Sequence, residues 1–528
     1  MQLACQLEDH SVQSPNDPVR AAGPQSVTNY LLEGKNSQRV ALSFIDRDYT
    51  YGQLSSAAHR IATYLVNSGG AKGDRALLIG DNTFFWVASY LGILQAGLVC
   101  VALPSGTSEQ ETEYIVKATE ARFAFAPALQ ASRLKQGMKQ LRLVSDRSIP
   151  QLRCFASQTD IDSILADDAG PVPKLPAISS NDLAALAFTS GSTGKPRGVM
   201  VSHGNIIANT NSIIQYLHLT ECDRIMAVLP FCYCFGTSLL HTHLRTGGTV
   251  VVDSRFMYPE KVLQRTIDAR CTGFAGVPSH FQILLRSSSL AKKLFPDLRY
   301  VQQAGGHLAP AFISELRQAL PTTEVLVMYG QTEATARLSY LPPEFLDTKL
   351  GSIGKGIPGV KLTVLNESGQ PVNPGEIGEI VAEGENVTLG YWQAPVETSK
   401  SFRNGKLHTG DLATIDSDGF IFIVDRANDF IKCRGKRISC QQIEDQFLGF
   451  EELLEAAVVG VPDDVLGEAV KAFVVPRNAN ASALAERLQQ FCKQHVALEL
   501  HPKEIIVLPE LPKNESGKVL KRELKRQR

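Results

Sequence analysis

Between residues 75 and 340, short apolar runs alternate with amphipathic stretches of helix length. RALLIG (75–80) gives way to TFFWVASYLGILQAG (83–97) and LVCVALP (98–104), and later come RIMAVLPF (224–231), TVVVD (249–253), GFAGVP (273–278) and EVLVMYG (324–330). Runs with so little polar alternation predict strands buried on both faces, and the helical stretches between them predict βα units that cover such sheets. From 350 to 425 the texture changes to alternating strands and glycine turns, as in VKLTVLNESGQPV (360–372) and GEIGEIVAEG (375–384), which predicts a smaller β-rich subdomain. After VDRAND (424–429) a hairpin-like IKCRGKRIS (431–439) precedes helix-like QQIEDQFLGF (441–450) and SALAERLQQFCKQHV (482–496), with strand-like AVVGVP (457–462) and KAFVVP (471–476) between them. The expected fold class is therefore α/β: a large N-terminal domain (1–425) of layered α/β subdomains plus the β-rich piece, and a small α+β C-terminal domain (426–528). The basic ending KVLKRELKRQR reads most simply as a solvated helix end.

The length of 528 residues, with 44% hydrophobic content, exceeds what one core supports, in line with more than one domain. Lys plus Arg (53) nearly balance Asp plus Glu (54), so no general field exists for gripping nucleic acid or an acidic membrane. The ten cysteines are scattered rather than framed, which predicts a reduced, cytoplasmic protein. Only Cys232 and Cys234 fall close together, and a lone C-x-C is poor zinc-ligand spacing. The first 25 residues carry neither a basic start nor an apolar core, so neither secretion nor membrane insertion is expected.

Chemistry concentrates first in FTSGSTGKPRGV (188–199), after the strand-like LAALA. Small residues at Thr189, Ser190, Gly191, Ser192, Thr193 and Gly194 let backbone N–H groups converge on an anion, and Lys195 adds a cation, so the loop is built to hold phosphates. It is not a Walker A loop, because the glycine spacing differs and Pro196 stands where Ser or Thr should follow the lysine.

This segment resembles the phosphate loop of the adenylate-forming superfamily of acyl- and aryl-CoA synthetases, amino-acid-adenylating domains and firefly luciferase. Further motifs follow in that family's order: YGQTE (329–333), HTGDL (408–412), DRANDFIKCRGKRIS (425–439) and NESGKVLKREL (514–524). The resemblance implies that a carboxylate attacks the α-phosphorus of ATP, giving an acyl-adenylate and pyrophosphate, and that a thiol then takes the acyl group. Two anions must meet in such a site, so cations and N–H donors must offset their charge. Lys518 would bridge the carboxylate and the α-phosphate; outside this motif it would read as one more exposed lysine. Glu333 would bind Mg²⁺, a hard cation suited to carboxylate and phosphate oxygens. Asp411 would accept both ribose hydroxyls. Arg426 would contact the ribose or phosphates and Arg437 the phosphates. Gly305, Gly306 and His307 would lie beside adenine, His307 acting through its backbone, with Tyr329 stacking and Gly330, Gln331 and Thr332 completing the nucleotide motif. Asn428 would be the hinge about which the C-terminal domain rotates between the two half-reactions.

The chain departs from the family pattern at the hinge, where Asn428 stands in place of the usual acidic or lysine pivot, in the hairpin and in the substrate pocket. The hairpin normally continues I-S-P-x-E-I-E, whereas here it reads Ile438, Ser439, Cys440, Gln441, Gln442, Ile443, Glu444, without the proline and the first acid. A buried cysteine in the proline's space is the simplest reading of Cys440. In LPFCYCFG (229–236), Tyr233 stands where many acyl- and aryl-CoA synthetases carry His, and Gly236 where amino-acid-adenylating domains carry the Asp that binds the substrate ammonium. A buried ammonium would lack its counter-charge, which disfavours an ordinary α-amino acid. Tyr233, Gly236, Gly276 and Gly305 are the candidate substrate-pocket residues, the glycines serving either room for an elongated or flat acid or tight turns. The expected partners are ATP, Mg²⁺, a small carboxylic acid, and coenzyme A or the phosphopantetheine of an acyl carrier protein; a nucleotide-binding module without turnover is the alternative of another class.

Overall fold

The computed structural model describes residues 26–133, 140–150, 155–166, 173–190, 196–426, 430–433, 436–463, 467–477, 483–513 and 519–526. Two compact units emerge, one formed by the chain up to Arg224 together with Thr237–Val252, the other by Ile225–Gly236 and the chain from Asp253 onward. Within the described residues no helix is long and apolar enough to cross a membrane.

The first unit holds a seven-stranded sheet in the order Ser157–Asp160, Arg142–Ser145, Phe123–Ala126, Arg75–Ile79, Val99–Leu103, Leu183–Ser190, Pro196–Ser202. Its pairings are parallel except the last, which is an antiparallel hairpin. The helix Phe84–Gln95 is apolar almost all round and buried along its length, as a helix wedged among other elements must be. Thr83 starts it by accepting the N–H of Trp86 through its hydroxyl.

In the second unit the strands Arg224–Ala227, Gly273–Gly276, Tyr300–Gln303 and Glu324–Tyr329 run parallel, and Ser339–Leu341 and Lys355–Gly356 add antiparallel edges. Each predicted apolar run in this region is a strand. A five-stranded antiparallel sheet follows, with Lys406–Ile415 at its centre. A last five-stranded sheet contains the hairpin Phe430–Cys433/Lys436–Ser439, the long pair Leu453–Asp463/Gly467–Pro476, and Glu504–Val507. The helices Cys440–Leu448 and Leu484–His495 bury their apolar stripes in a common core with this sheet.

The basic tail corrects the sequence expectation. In the short helix Lys521–Leu524, Leu524 is fully buried and Lys521 pairs with Glu444 at 2.7 Å, so this end is packed rather than solvated. Burial alone would pull the Lys521 pKa down, but the neighbouring Glu444 carboxylate reverses this and raises it, so the ammonium is held charged. Position 440 has a physical reading as well. The Cys440 N–H donates to Asp425 Oδ2 at 2.8 Å, a bond proline cannot make. Asp425 also accepts from the Ser439 hydroxyl, which itself caps the helix by accepting the N–H of Gln442.

Candidate active site

Strand ends and the turns after them position the candidate residues. Glu324–Tyr329 delivers Tyr329 to the strand's C-terminal end, and the chain then passes through Gly330 and Gln331 into a single turn, Thr332–Ala334. Glu333 in this turn is held from a second segment: Thr388 donates to its carbonyl through both N–H (3.0 Å) and hydroxyl (2.9 Å), and the Tyr391 hydroxyl donates to its Oε1 at 2.9 Å. Thr335 closes the turn at φ +67, a conformation β-branched residues avoid, with its hydroxyl bound to the Asn386 carbonyl at 2.7 Å.

Asp411 follows Gly410, whose φ of +75 suits glycine, and is only 5% exposed. The Tyr329 hydroxyl donates to its Oδ2 at 2.6 Å, joining two motifs 82 positions apart. In the sheet, Asp411 lies opposite the backbone of Arg426.

Gly305, Gly306 and His307 form the turn after Tyr300–Gln303, and Gln303 Nε2 donates to the Gly306 carbonyl at 2.8 Å. Gly305 has φ +86, and a Cβ there would stand 3.0 Å from Val277, next to Gly276. The His307 imidazole is engaged: its Nε2 lies 2.7 and 2.9 Å from the two carboxylate oxygens of Asp445 in the helix Cys440–Leu448. Sequence reasoning had given this side chain no partner.

Of the two readings left open for the pocket glycines, Gly236 takes the second. A Cβ would fall 2.1 Å from the Pro230 carbonyl oxygen, so the backbone approach itself requires glycine. The segment around Tyr233 touches the nucleotide motif: Cys234 Sγ is 3.6 Å from Thr332 Oγ1, and the buried Arg337 guanidinium stacks 4.0 Å over Phe235. Burial pushes the Cys234 thiol pKa up, which keeps it protonated. Among the described residues no group of three or more His, Cys, Asp or Glu could hold a metal ion, so an ion at Glu333 would draw its remaining ligands from substrate phosphates and water.

Thr189 and Ser190 end the hairpin strand opposite Arg197 and Pro196 in the first unit. Gly191, Ser192, Thr193, Gly194, Lys195, Asn428 and Lys518 lie outside the described residues, as do the side chains of Arg426 and Arg437. A groove of about 890 Å³ in the first unit, lined by Arg47, Tyr49, Phe84 and Asp162 among others, includes none of the candidate residues. Three elements escaped sequence reasoning: the Tyr391 and Thr388 clasp on Glu333, the Asp425 cap and the His307–Asp445 pair. Their partners lie far apart in sequence or outside the motifs, and no spacing rule joins them.

At the ends of two neighbouring parallel strands lie a glycine turn and a tyrosine bonded to a buried aspartate, followed by a turn bearing a held carboxylate. The chain belongs to the AMP-binding enzyme family, whose description matches residues 33–392, with the AMP-binding enzyme C-terminal domain at 442–518. Among its relatives, the feruloyl-CoA synthase of Amycolatopsis sp. is 32% identical over 90% of this chain and 93% of that protein. The oxalate–CoA ligase of Arabidopsis thaliana is 30% identical over 93% and 96%. The o-succinylbenzoate CoA synthetase of Bacillus subtilis, solved with its acyl-adenylate intermediate, superposes with a TM-score of 0.82 at 28% identity, covering 96% of this chain and 99% of that one. The protein is an AMP-forming acid–thiol ligase, with ATP and Mg²⁺ serving the first half-reaction and coenzyme A the second.

Proposed function

We propose that the protein activates a carboxylic acid without an α-amino group, and that the motif residues divide the work between the two half-reactions. Asp411 holds the ribose, supported by Tyr329, and the 2.6 Å bond between them is the observation that carries this reading. Glu333 holds Mg²⁺ through the oxygens its Tyr391 bond leaves available. Bound there, the ion offsets charge on the phosphates. The Thr189–Lys195 loop cradles phosphates with its N–H donors, and Lys518 offsets the charge that develops between carboxylate and α-phosphate. Arg426 and Arg437 serve the ribose and phosphates as the C-terminal domain (426–528) turns about Asn428.

The substrate side rests on Gly236. The backbone at this position admits no side chain without moving the Pro230 carbonyl, so an ammonium partner cannot be borne there. The acceptor is coenzyme A rather than a carrier protein, and the cytoplasm, which supplies both ATP and coenzyme A, is the proposed compartment. Acid-dependent ATP–pyrophosphate exchange tests the reading: fatty or aryl acids should support it better than any proteinogenic amino acid. Preferential exchange with an amino acid would overturn the substrate class, and the absence of exchange with every acid would leave only a nucleotide-binding module.

A further inference from the structure

The His307–Asp445 contact joins the glycine turn at the nucleotide site to the helix that follows the C-terminal hairpin. Both carboxylate oxygens of Asp445 lie within 2.9 Å of His307 Nε2, so one ring nitrogen is shared between them. The turn that presents His307 is itself fixed, by the Gln303 bond to the Gly306 carbonyl and by the left-handed Gly305. The helix that presents Asp445 is fixed from the other side, since Glu444, the preceding residue, pairs with Lys521 and accepts the Val458 N–H at 2.7 Å. A contact between two rigid elements transmits orientation in a way that a bond between flexible side chains does not.

Further contacts hold the same arrangement. The helix Pro278–Ser287 packs against the strand Leu453–Asp463, and Pro310–Ala319 packs against Cys440–Leu448. Glu455 on that strand pairs with Lys513 at 2.5 Å, and Lys513 in turn bridges Val519 across the ends of the segment that carries Lys518. Lys513 is near enough to His280, in the first turn of Pro278–Ser287, that its charge adds to burial in lowering the His280 pKa to about 4. Lys513, which precedes the segment carrying Lys518, is thus held on the flank of the helix that begins just after Gly276 and Val277.

Resting on the reading of Lys518 as the adenylation lysine, we propose that His307 and Asp445 are positioning residues of the first half-reaction: their hydrogen-bonded contact holds the C-terminal domain in the orientation used to form the acyl-adenylate and must open before thioester formation. Neither group touches the reacting atoms. A partly exposed pair of this kind biases two orientations by roughly 1.5- to 5-fold.

The two half-reactions are measured apart in the full-length protein, as acid-dependent ATP–pyrophosphate exchange with octanoate, benzoate and ferulate, and as coenzyme A thioester formation from the synthetic adenylate of whichever acid exchanges fastest. Asp445→Ala should slow exchange roughly 1.5- to 5-fold and leave thioester formation from supplied adenylate as fast as wild type or faster. Asp445→Glu should restore most of the exchange rate, and the His307→Ala/Asp445→Ala double variant should be no slower than the slower single variant. Asp445→Asn serves if the alanine variant does not fold. Unchanged exchange in Asp445→Ala, equal slowing of both steps, or additive losses in the double variant would overturn the proposal. A wild-type protein that shows no acid-dependent exchange would instead remove the functional reading on which it rests.

Discussion

Asp411 is buried, and the hydroxyl of Tyr329 reaches its Oδ2 at 2.6 Å. A hydrogen bond to a charged acceptor contributes roughly 1.5–3 kcal/mol, so Asp411→Asn should raise KM for ATP and lower kcat/KM on the order of 10- to 100-fold. Tyr329→Phe removes the support and keeps the carboxylate, and should give a smaller loss in the same direction. Steady-state kinetics with varied ATP checks both, and an unchanged KM in folded Asp411→Asn would refute the ribose assignment. At this scale the sequence named candidates wherever a motif fixed the residue type, and two of them, Tyr329 and Asp411, are joined in the structure. It was silent on what holds them. Tyr391 clasps Glu333 from 58 positions away, and nothing in either local pattern announces the pairing.

Elements were readable in proportion to their periodicity. The apolar runs at 75–80, 98–104 and 324–330 became buried strands because an unbroken apolar run is satisfied only between covering layers. The tail misled because KVLKRELKRQR has the composition of a solvated end while Leu524 and Lys521 face inward. Side-chain exposures of 24% for Lys521 and 17% for Glu444 place their pair between surface and core. Lys521→Met should therefore destabilise the protein by roughly 2–4 kcal/mol, chiefly by stranding Glu444, and adding Glu444→Gln should recover part of it. Urea unfolding of the full chain measures both; an unchanged midpoint in Lys521→Met would show that the pair adds nothing. Gly236→Ala is expected to cost roughly 1–3 kcal/mol, because a Cβ 2.1 Å from a carbonyl oxygen forces the backbone to move. A lower Tm with the preference for non-amino acids retained is the expected outcome.

For the molecule as a whole, buried neutral histidines set the response to acid. His203 is fully buried, accepts the Val27 N–H on its Nδ1 at 3.1 Å, and has its pKa lowered by burial to about 4. His241, paired with Tyr90 at 2.9 Å, is lowered by burial to about 3. Both folded values lie below the ordinary 6.5, so the unfolded chain binds more protons in between. Stability from these groups is complete above pH 6.5 and is lost as pH falls from there toward 4 and 3. Each pKa unit corresponds to about 1.4 kcal/mol, so the loss should reach several kcal/mol by pH 4. Thermal unfolding followed from pH 7 to 4 should show Tm falling below pH 6.5; a flat profile would contradict the burial of both imidazoles.

We propose that Lys518 serves adenylate formation alone and that the C-terminal domain turns about Asn428 before thioester formation, and that division is the core of the account. The most direct test is Lys518→Ala in the full-length protein, with acyl-adenylate formation and thioester formation from supplied acyl-adenylate measured separately. Loss of a preorganised cation at the α-phosphate should slow adenylate formation on the order of 10²- to 10³-fold, while coenzyme A still takes the acyl group from supplied adenylate at close to the wild-type rate. Equal loss of both steps in a folded variant would mean that one fixed arrangement serves both reactions, and would contradict rotation about Asn428.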